Sequence, residues 1–156
     1  MTVAVGERAP GFSALLCDGE TFRERSLSAV GGDGCVLAFY GFAFSAIAEN
    51  WWRRYDRAGW ADFDVPVLGV CRDGPYAQNA FLRAIASPFR SFSDPDGTVC
   101  DAYGLLDERT EMAGIRTARR AILVLDADRV VRHRWLADDQ LDAPSLSAVE
   151  AAVADL

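Results

Sequence analysis

A chain of 156 residues, 51% of them hydrophobic, suits one domain spanning residues 1–156 with one sizeable core. It carries 16 arginines and no lysine against 16 aspartates and 7 glutamates, and the resulting net charge of −7 argues against nucleic acid or an anionic membrane as partner. No apolar run approaches the roughly 18 residues needed to cross a bilayer, and the N-terminus has neither a basic n-region nor an apolar h-region, so a cytoplasmic location is the default expectation.

The arginine-only, aspartate-rich balance fits two origins, a GC-rich genome or the acidic surface of a halophile, and both stay open. The four cysteines, Cys17, Cys35, Cys71 and Cys100, form no Cys-x-x-Cys pair, and His133 is the one histidine, so no metal site is expected. Their wide spacing favours free thiols over a disulfide framework. No Gly-x-Gly-x-x-Gly or Walker spacing occurs, so no nucleotide cofactor is expected.

In chain order, Gly6, Ala9, Pro10 and Phe12 lead into a small hairpin around Asp18-Gly19, with Cys17 as a small filler beside the turn. Ser26 to Gly34 reads as a short helical turn and a loop. Cys35 to Tyr40 is an apolar run of core-strand length, broken by Gly41. Ser45 then stands where a helix N-cap belongs, with Glu49 near the positive end. The helix that follows presents Ile47, Trp51, Trp52, Tyr55 and Ala58 on one apolar face. Neighbouring tryptophans diverge by about 100°, so one of the two meets a loop or a second chain.

Val65 to Cys71 is a second core strand, with Pro66 tolerated near its start. Pro75 opens a helix whose apolar positions are Ala77, Ala80, Phe81, Ala84 and Ile85, stopped by Pro88. Phe89 to Phe92 is a short strand, Ser93 to Gly97 a turn, and Thr98 to Tyr103 a short helix. Residues 105–118 read as a charged, irregular connection. The strand at 119–126 is apolar on both faces and belongs inside a sheet. Val130 to Leu136 returns with Val131, His133 and Trp135 on one face and Arg132 and Arg134 on the other, as an edge-side strand does. Pro144 opens a last helix that buries Leu146, Val149, Val153 and Leu156. The alternation predicts an α/β layered fold with a mixed sheet flanked by helices and an N-terminal β-hairpin.

The ordered set Ala9-Pro10, Asp18-Gly19, Phe39-Tyr40, Ser93-Asp94-Pro95-Asp96-Gly97, Tyr103-Gly104 and Arg120 to Asp126 resembles the peroxiredoxin family. That family is also called alkyl hydroperoxide reductase or thiol-specific antioxidant, and includes the bacterioferritin-comigratory type. The resemblance spans nearly the whole chain and implies a thioredoxin-like fold. Its active-site motif is Pro-x-x-x-Thr/Ser-x-x-Cys. Here Gly41 stands at the proline, Ser45 at the hydroxyl and Ala48 at the peroxide-reacting cysteine. The resemblance gives the peroxide-orienting arginine to Arg120, with Arg119 the weaker choice. Ala46 replaces a frequent second proline, and Trp51 replaces a glutamate.

A thiol attacks peroxide as thiolate, and a methyl group cannot. Losing the nucleophile of an activated site typically costs about a million-fold in turnover. Three functional readings follow. The first is a catalytically degenerate member kept as a binding or partner subunit, with the self-association that the resemblance implies. The second is an atypical thiol oxidoreductase using another cysteine, Cys71 first, with a thioredoxin-like reductant. The third is a small-anion binder at a pocket of Ser45, Arg120 and the helix N-terminus. Cys35 and Cys71 sit at opposite ends of parallel strands, about 20 Å apart over six residues, and cannot pair.

Overall fold

The computed structural model describes all 156 residues, Met1–Leu156. Nine strands and five α-helices make up the chain, and all but two of the strands follow the expected alternation. Strands β1 (Ser13–Cys17) and β2 (Phe22–Ser26) form the N-terminal hairpin. Asp18 closes its turn by accepting the N–H groups of Glu20 and Thr21. Ser26 caps the short helix α1 (Leu27–Val30). Strand β3 (Cys35–Phe39) is buried at every residue and leads into helix α2 (Ala46–Arg57). Strand β4 (Val67–Cys71), helix α3 (Pro75–Ala84) and strand β5 (Arg90–Ser93) form the next unit, and α4 (Thr98–Ala102) follows.

Seven strands make one mixed sheet in the order β2-β1-β5-β4-β3-β8-β9, where β8 is Ala121–Leu125 and β9 is Val131–Leu136. The central strands β3, β4 and β5 are parallel, and β1, β8 and β9 join antiparallel. Alternate residues of β3 feed two cores. Val36, Ala38 and Tyr40 meet Trp52 and Tyr55 of α2, Phe81 and Leu82 of α3, and Val149 of α5 (Leu146–Ala154). Cys35, Leu37 and Phe39 face the opposite layer with Leu27, Phe92, Val99 and Tyr103. This two-sided burial is why the strands read as continuous apolar runs.

The packing of α2 on the sheet depends on Gly69 in β4. A Cβ there would lie 2.7 Å from the Trp52 ring and 2.7 Å from the Ser91 hydroxyl. Glycine therefore lets the indole rest directly on the strand backbone. Trp52 is the inward member of the tryptophan pair and Trp51 is half-exposed. Ala58, expected on the apolar face, is exposed beyond the last turn.

Four expectations are corrected. First, α3 buries Gln78, Asn79, Phe81 and Leu82, with Ile85 just after it, while Ala77 and Ala84 are exposed. The burial of Gln78 is satisfied by hydrogen bonds that its amide donates to the carbonyls of Cys71 (3.0 Å), Asp73 (2.9 Å) and Phe92 (3.2 Å). Second, residues 105–118 are ordered as a hairpin of β6 (Leu106–Arg109) and β7 (Ile115–Ala118), joined by a single 3₁₀ turn at Thr110–Met112. Third, a β-bulge puts Leu125 opposite Val131 while Val124 faces His133. The extra residue is Arg132, so Val131 packs in one core whereas Trp135 packs against the other. Fourth, α5 buries Val149 fully and Leu146 and Val153 partly, but Leu156 lies exposed past its end.

Candidate active-site cavity

The site grows from the junction of β3 and α2. The chain leaves β3 at Tyr40, passes Gly41 and turns at Phe44, whose φ of 66° is unusual for a residue with a side chain. The turn is anchored by the Asp73 carboxylate, which accepts the Ala43 N–H at 2.7 Å. Ser45 then caps α2. Its hydroxyl accepts the Ala48 N–H at 3.1 Å and donates to the Phe42 carbonyl at 2.9 Å. A cap of this kind contributes about 1 kcal/mol to the helix. The one hydroxyl proton is thereby committed, which the sequence alone does not reveal.

Gly41, Ser45, Ala48 and Arg120 all line one cavity of about 360 Å³, and Arg119 joins them. Ala48 is 4% exposed and belongs to the α2 core, so its methyl forms floor. Trp51, Trp52, Tyr55 and Trp135 supply aromatic wall. Gly41 is held from the far side, where its carbonyl accepts the Thr117 hydroxyl at 2.5 Å. A Cβ at Gly41 would meet nothing closer than the Thr117 hydroxyl at 3.7 Å, so glycine is not sterically demanded there.

Arg120 occupies the side of the cavity. Its guanidinium carbon lies 5.8 Å from the Trp51 ring centre and 5.3 Å from that of Trp135. Nη1 donates to the carbonyls of Gln140 (2.7 Å) and Asp142 (2.9 Å), pinning the strap of chain between β9 and α5. Nη2 is buried and has no hydrogen-bond partner. Burial pushes the Arg120 pKa below its usual value, and the nearby Tyr55 and Asp142 partly offset this. Burial in turn raises the Tyr55 phenol, and Arg120 counters that shift.

Sequence reasoning missed the outer wall. The β6–β7 hairpin contributes Asp107, Glu108 and Arg109, and Glu111 lies in its turn. Arg109 pairs with Glu111 at 2.7 Å, and Glu111 also accepts the Gln140 amide at 3.3 Å, so hairpin and strap are tied across the mouth. Arg119 holds the same strap through the Ala137 carbonyl at 2.7 Å and Asp138 at 3.0 Å. Alternation in Ile115-Arg116-Thr117 beside Gly114 was the one available signal for this hairpin.

The cysteines lie elsewhere. All four are buried and unpaired. The Cys71 thiol sits under the active-site loop and does not line the cavity. It lies 3.3 Å from the Asp73 carboxylate and 3.7 Å from the Gly41 carbonyl. Burial, then the Asp73 charge, raise its pKa. Burial pushes Cys17 and Cys35 up to about 12, and it also raises Cys100. Burial and the raised pKa values both disfavour the reactive thiolate at all four. His133 is half-buried in β9, outside the cavity, with its pKa lowered by burial. No cluster of His, Cys, Asp and Glu is arranged to hold a metal ion, and no helix is long and apolar enough to cross a membrane.

Known proteins give this geometry a context. The bcp protein of Coxiella burnetii, assigned as a peroxiredoxin, is 28% identical over 143 residues, covering 86% of this chain and 89% of its own length. Among solved structures, the reduced 2-Cys peroxiredoxin of Plasmodium vivax superposes with a TM-score of 0.78 at 22% identity, covering 97% of this chain and 95% of that one. A cysteine-to-serine mutant of PrxQ from Xylella fastidiosa gives 0.79 at 19% identity, over 99% and 96% of the two chains. The peroxidoxin BcpB of Mycobacterium tuberculosis gives 0.76 at 24% identity, over 97% and 95%. These likenesses establish the thioredoxin-like α/β fold with its mixed sheet between helices. The AhpC/TSA family model matches residues 5–134, and the chain belongs to the AhpC/TSA family.

Proposed function

We propose that this AhpC/TSA-family protein has lost thiol-peroxidase catalysis and serves as a binding or partner subunit. The observation that carries the reading is the Ala48 methyl on the cavity floor, at the motif position of the reacting sulfur, with no other thiol lining that cavity. Ser45 and Arg120 line the same cavity, but neither carries a sulfur that peroxide could oxidise. The second reading, a redox role for Cys71, has a thiol near the loop in its favour. Against it stand full burial and the adjacent Asp73 carboxylate, both of which oppose the thiolate. Self-association belongs to the same proposal, with exposed Phe44 and Tyr76 flanking the α2 and α3 starts as the apolar surface available for it.

The test is peroxide consumption by the wild-type protein with dithiothreitol, and separately with thioredoxin and its reductase. The expected rate equals that of reductant alone. Saturable turnover would overturn the proposal, and its loss in Cys71→Ser would install the second reading. Light scattering after size exclusion reports the oligomeric state, and a strict monomer would remove self-association.

A further inference from the structure

We propose that the free edge of β6 docks an extended, basic segment of a partner protein, which adds to the β6–β7 hairpin as a third strand. The inference rests on the partner-subunit reading above and names the surface and the class of partner.

The hairpin is a two-stranded sheet of its own, apart from the seven-stranded one. Its register pairs Leu106 with Ala118, Asp107 with Thr117, Glu108 with Arg116 and Arg109 with Ile115. One step before Leu106, the Arg119 N–H donates to the Leu105 carbonyl at 2.7 Å, which fixes the phase of the ladder. Hydrogen-bonded and non-hydrogen-bonded pairs alternate between antiparallel strands. Asp107 and Arg109 therefore bond inward to β7, while Leu106 and Glu108 turn their N–H and C=O groups away from it. No hydrogen bond from elsewhere in the chain reaches those outward groups. Glu108 is exposed and Leu106 half-buried. The matching edge of β7 is occupied, since the Arg116 carbonyl accepts Nη1 of Arg72. An open edge with unpaired donors and acceptors is a template for one more strand.

Charge selects the occupant. Asp107 and Glu108 are exposed on β6 and make no ion pair, and Asp138 and Asp139 of the strap line the same mouth. Against them stand Arg109, already paired with Glu111, and Arg116 on β7. The surplus of carboxylates favours lysine or arginine side chains on the incoming strand and repels an acidic one. It also disfavours a second copy of this chain at this edge, because that copy carries a net charge of −7. Exposed Met112 in the hairpin turn and Leu141 in the strap add apolar surface at the rim, where Gln140 and Glu111 join the two segments. A strand of four residues spans about 13 Å, so an extended segment of about five residues covers it.

The experiment is titration of the isotope-labelled wild-type protein with the blocked pentapeptide Lys-Val-Lys-Val-Lys, read by amide NMR. The comparisons are Glu-Val-Glu-Val-Glu and the basic peptide N-methylated at every peptide nitrogen, which has lost its backbone donors. Saturable shifts of the Leu106 and Glu108 amides are expected with the basic peptide, and each comparison is expected to bind at least about tenfold more weakly. Glu108→Pro removes an N–H that the β6–β7 ladder does not use, at a position where an edge strand tolerates proline. It is expected to weaken the basic peptide about tenfold while the Asp107 and Thr117 amides keep their positions. Should proline disturb the hairpin, the double change Asp107→Asn and Glu108→Gln still decides, with an expected tenfold loss, roughly, for the basic peptide and none for the acidic one. No saturation below about 10 mM, equal binding of either comparison peptide, shifts confined to other segments, or binding by the double variant as by wild type would each overturn the proposal. If the basic peptide fails while wild-type peroxide turnover is nil, only the docking edge falls; turnover by the wild type sinks the noncatalytic reading instead.

Discussion

The change Ala48→Cys tests the cavity's electrostatics directly. The introduced sulfur would stand at the N-terminal turn of α2, on the wall of the cavity that also holds Arg120. An ordinary cysteine has a pKa of about 8.5. A cation within about 4–6 Å lowers an acid by about one to three units. The helix end adds about 0.3–1 kcal/mol, or roughly 0.2–0.7 unit. Burial opposes both, and at 4% exposure its effect is not small. A net shift of about one and a half units gives a pKa near 7, so about half the thiol is ionised at pH 7 against about 3% for a free one. The thiolate fraction then rises roughly fifteenfold, and the lower nucleophilicity of the more acidic thiol takes back roughly fivefold, so ionisation alone accelerates the reaction with peroxide about threefold. The assay is the pH dependence of thiolate absorbance near 240 nm together with hydrogen peroxide consumption. A thiol titrating at or above about 8.5, with peroxide reactivity no better than that of free cysteine, would show that Arg120 and the helix end do not act on position 48.

Two further predictions concern stability. Gly69→Ala forces a methyl to within 2.7 Å of the Trp52 ring and of the Ser91 hydroxyl; the overpacking is expected to lower unfolding free energy by about 1–3 kcal/mol, read as a denaturant-midpoint shift without change in slope. The buried thiols make the fold alkali-sensitive. Cys17 and Cys35 are protonated in the native state up to about pH 12, and the unfolded chain ionises them from about 8.5. Their folded pKa values lie above the unfolded ones, so the stability they contribute is complete below that lower value and drains as pH rises toward the upper one. The loss reaches about 1.4 kcal/mol per pH unit for each thiol. Denaturation curves from pH 7 to 11 check the slope; native-state labelling of any cysteine by a maleimide would contradict the burial on which it rests.

Much of this was legible because the determinants are local. The strand 35–40, the break at Gly41 and the cap at Ser45 are written in hydrophobic run, glycine and hydroxyl, and the structure places all three accordingly. The lost features have nonlocal causes. Gln78 looks like a surface residue because its partners, the carbonyls of Cys71, Asp73 and Phe92, come from the strand ends around it. The face of β9 was misassigned because a bulge at Arg132 resets the two-residue period. Around that bulge, Asp126 accepts the Val130 N–H at 2.9 Å and the Arg132 side chain at 2.7 Å, contacts that no periodicity encodes. The β6–β7 hairpin was unreadable because its strands have four residues each and almost no core face.

The residues that look most like surviving peroxidase machinery are also the ones with another sufficient reason to be there. Ser45 contributes about 1 kcal/mol by capping α2, whatever sits at position 48. Arg120 ties β8 to the strap through Gln140 and Asp142, so it stabilises the fold without any peroxide. Asp73 anchors the loop through Ala43. Fold stability alone is a sufficient reason for all three. The departures carry more information. Gly41 lies where a Cβ would fit without a clash, so no steric contact demands glycine there. Trp51 sets an indole with its ring centre 5.8 Å from the Arg120 guanidinium carbon and lines the cavity with apolar surface. That indole stands beside a guanidinium with one nitrogen unpaired. Double substitution measures the coupling of Trp51 to Arg120. Trp51→Leu and Arg120→Gln together are expected to lower the unfolding free energy by less than the sum of their separate effects, and strict additivity would show that the pair is not coupled.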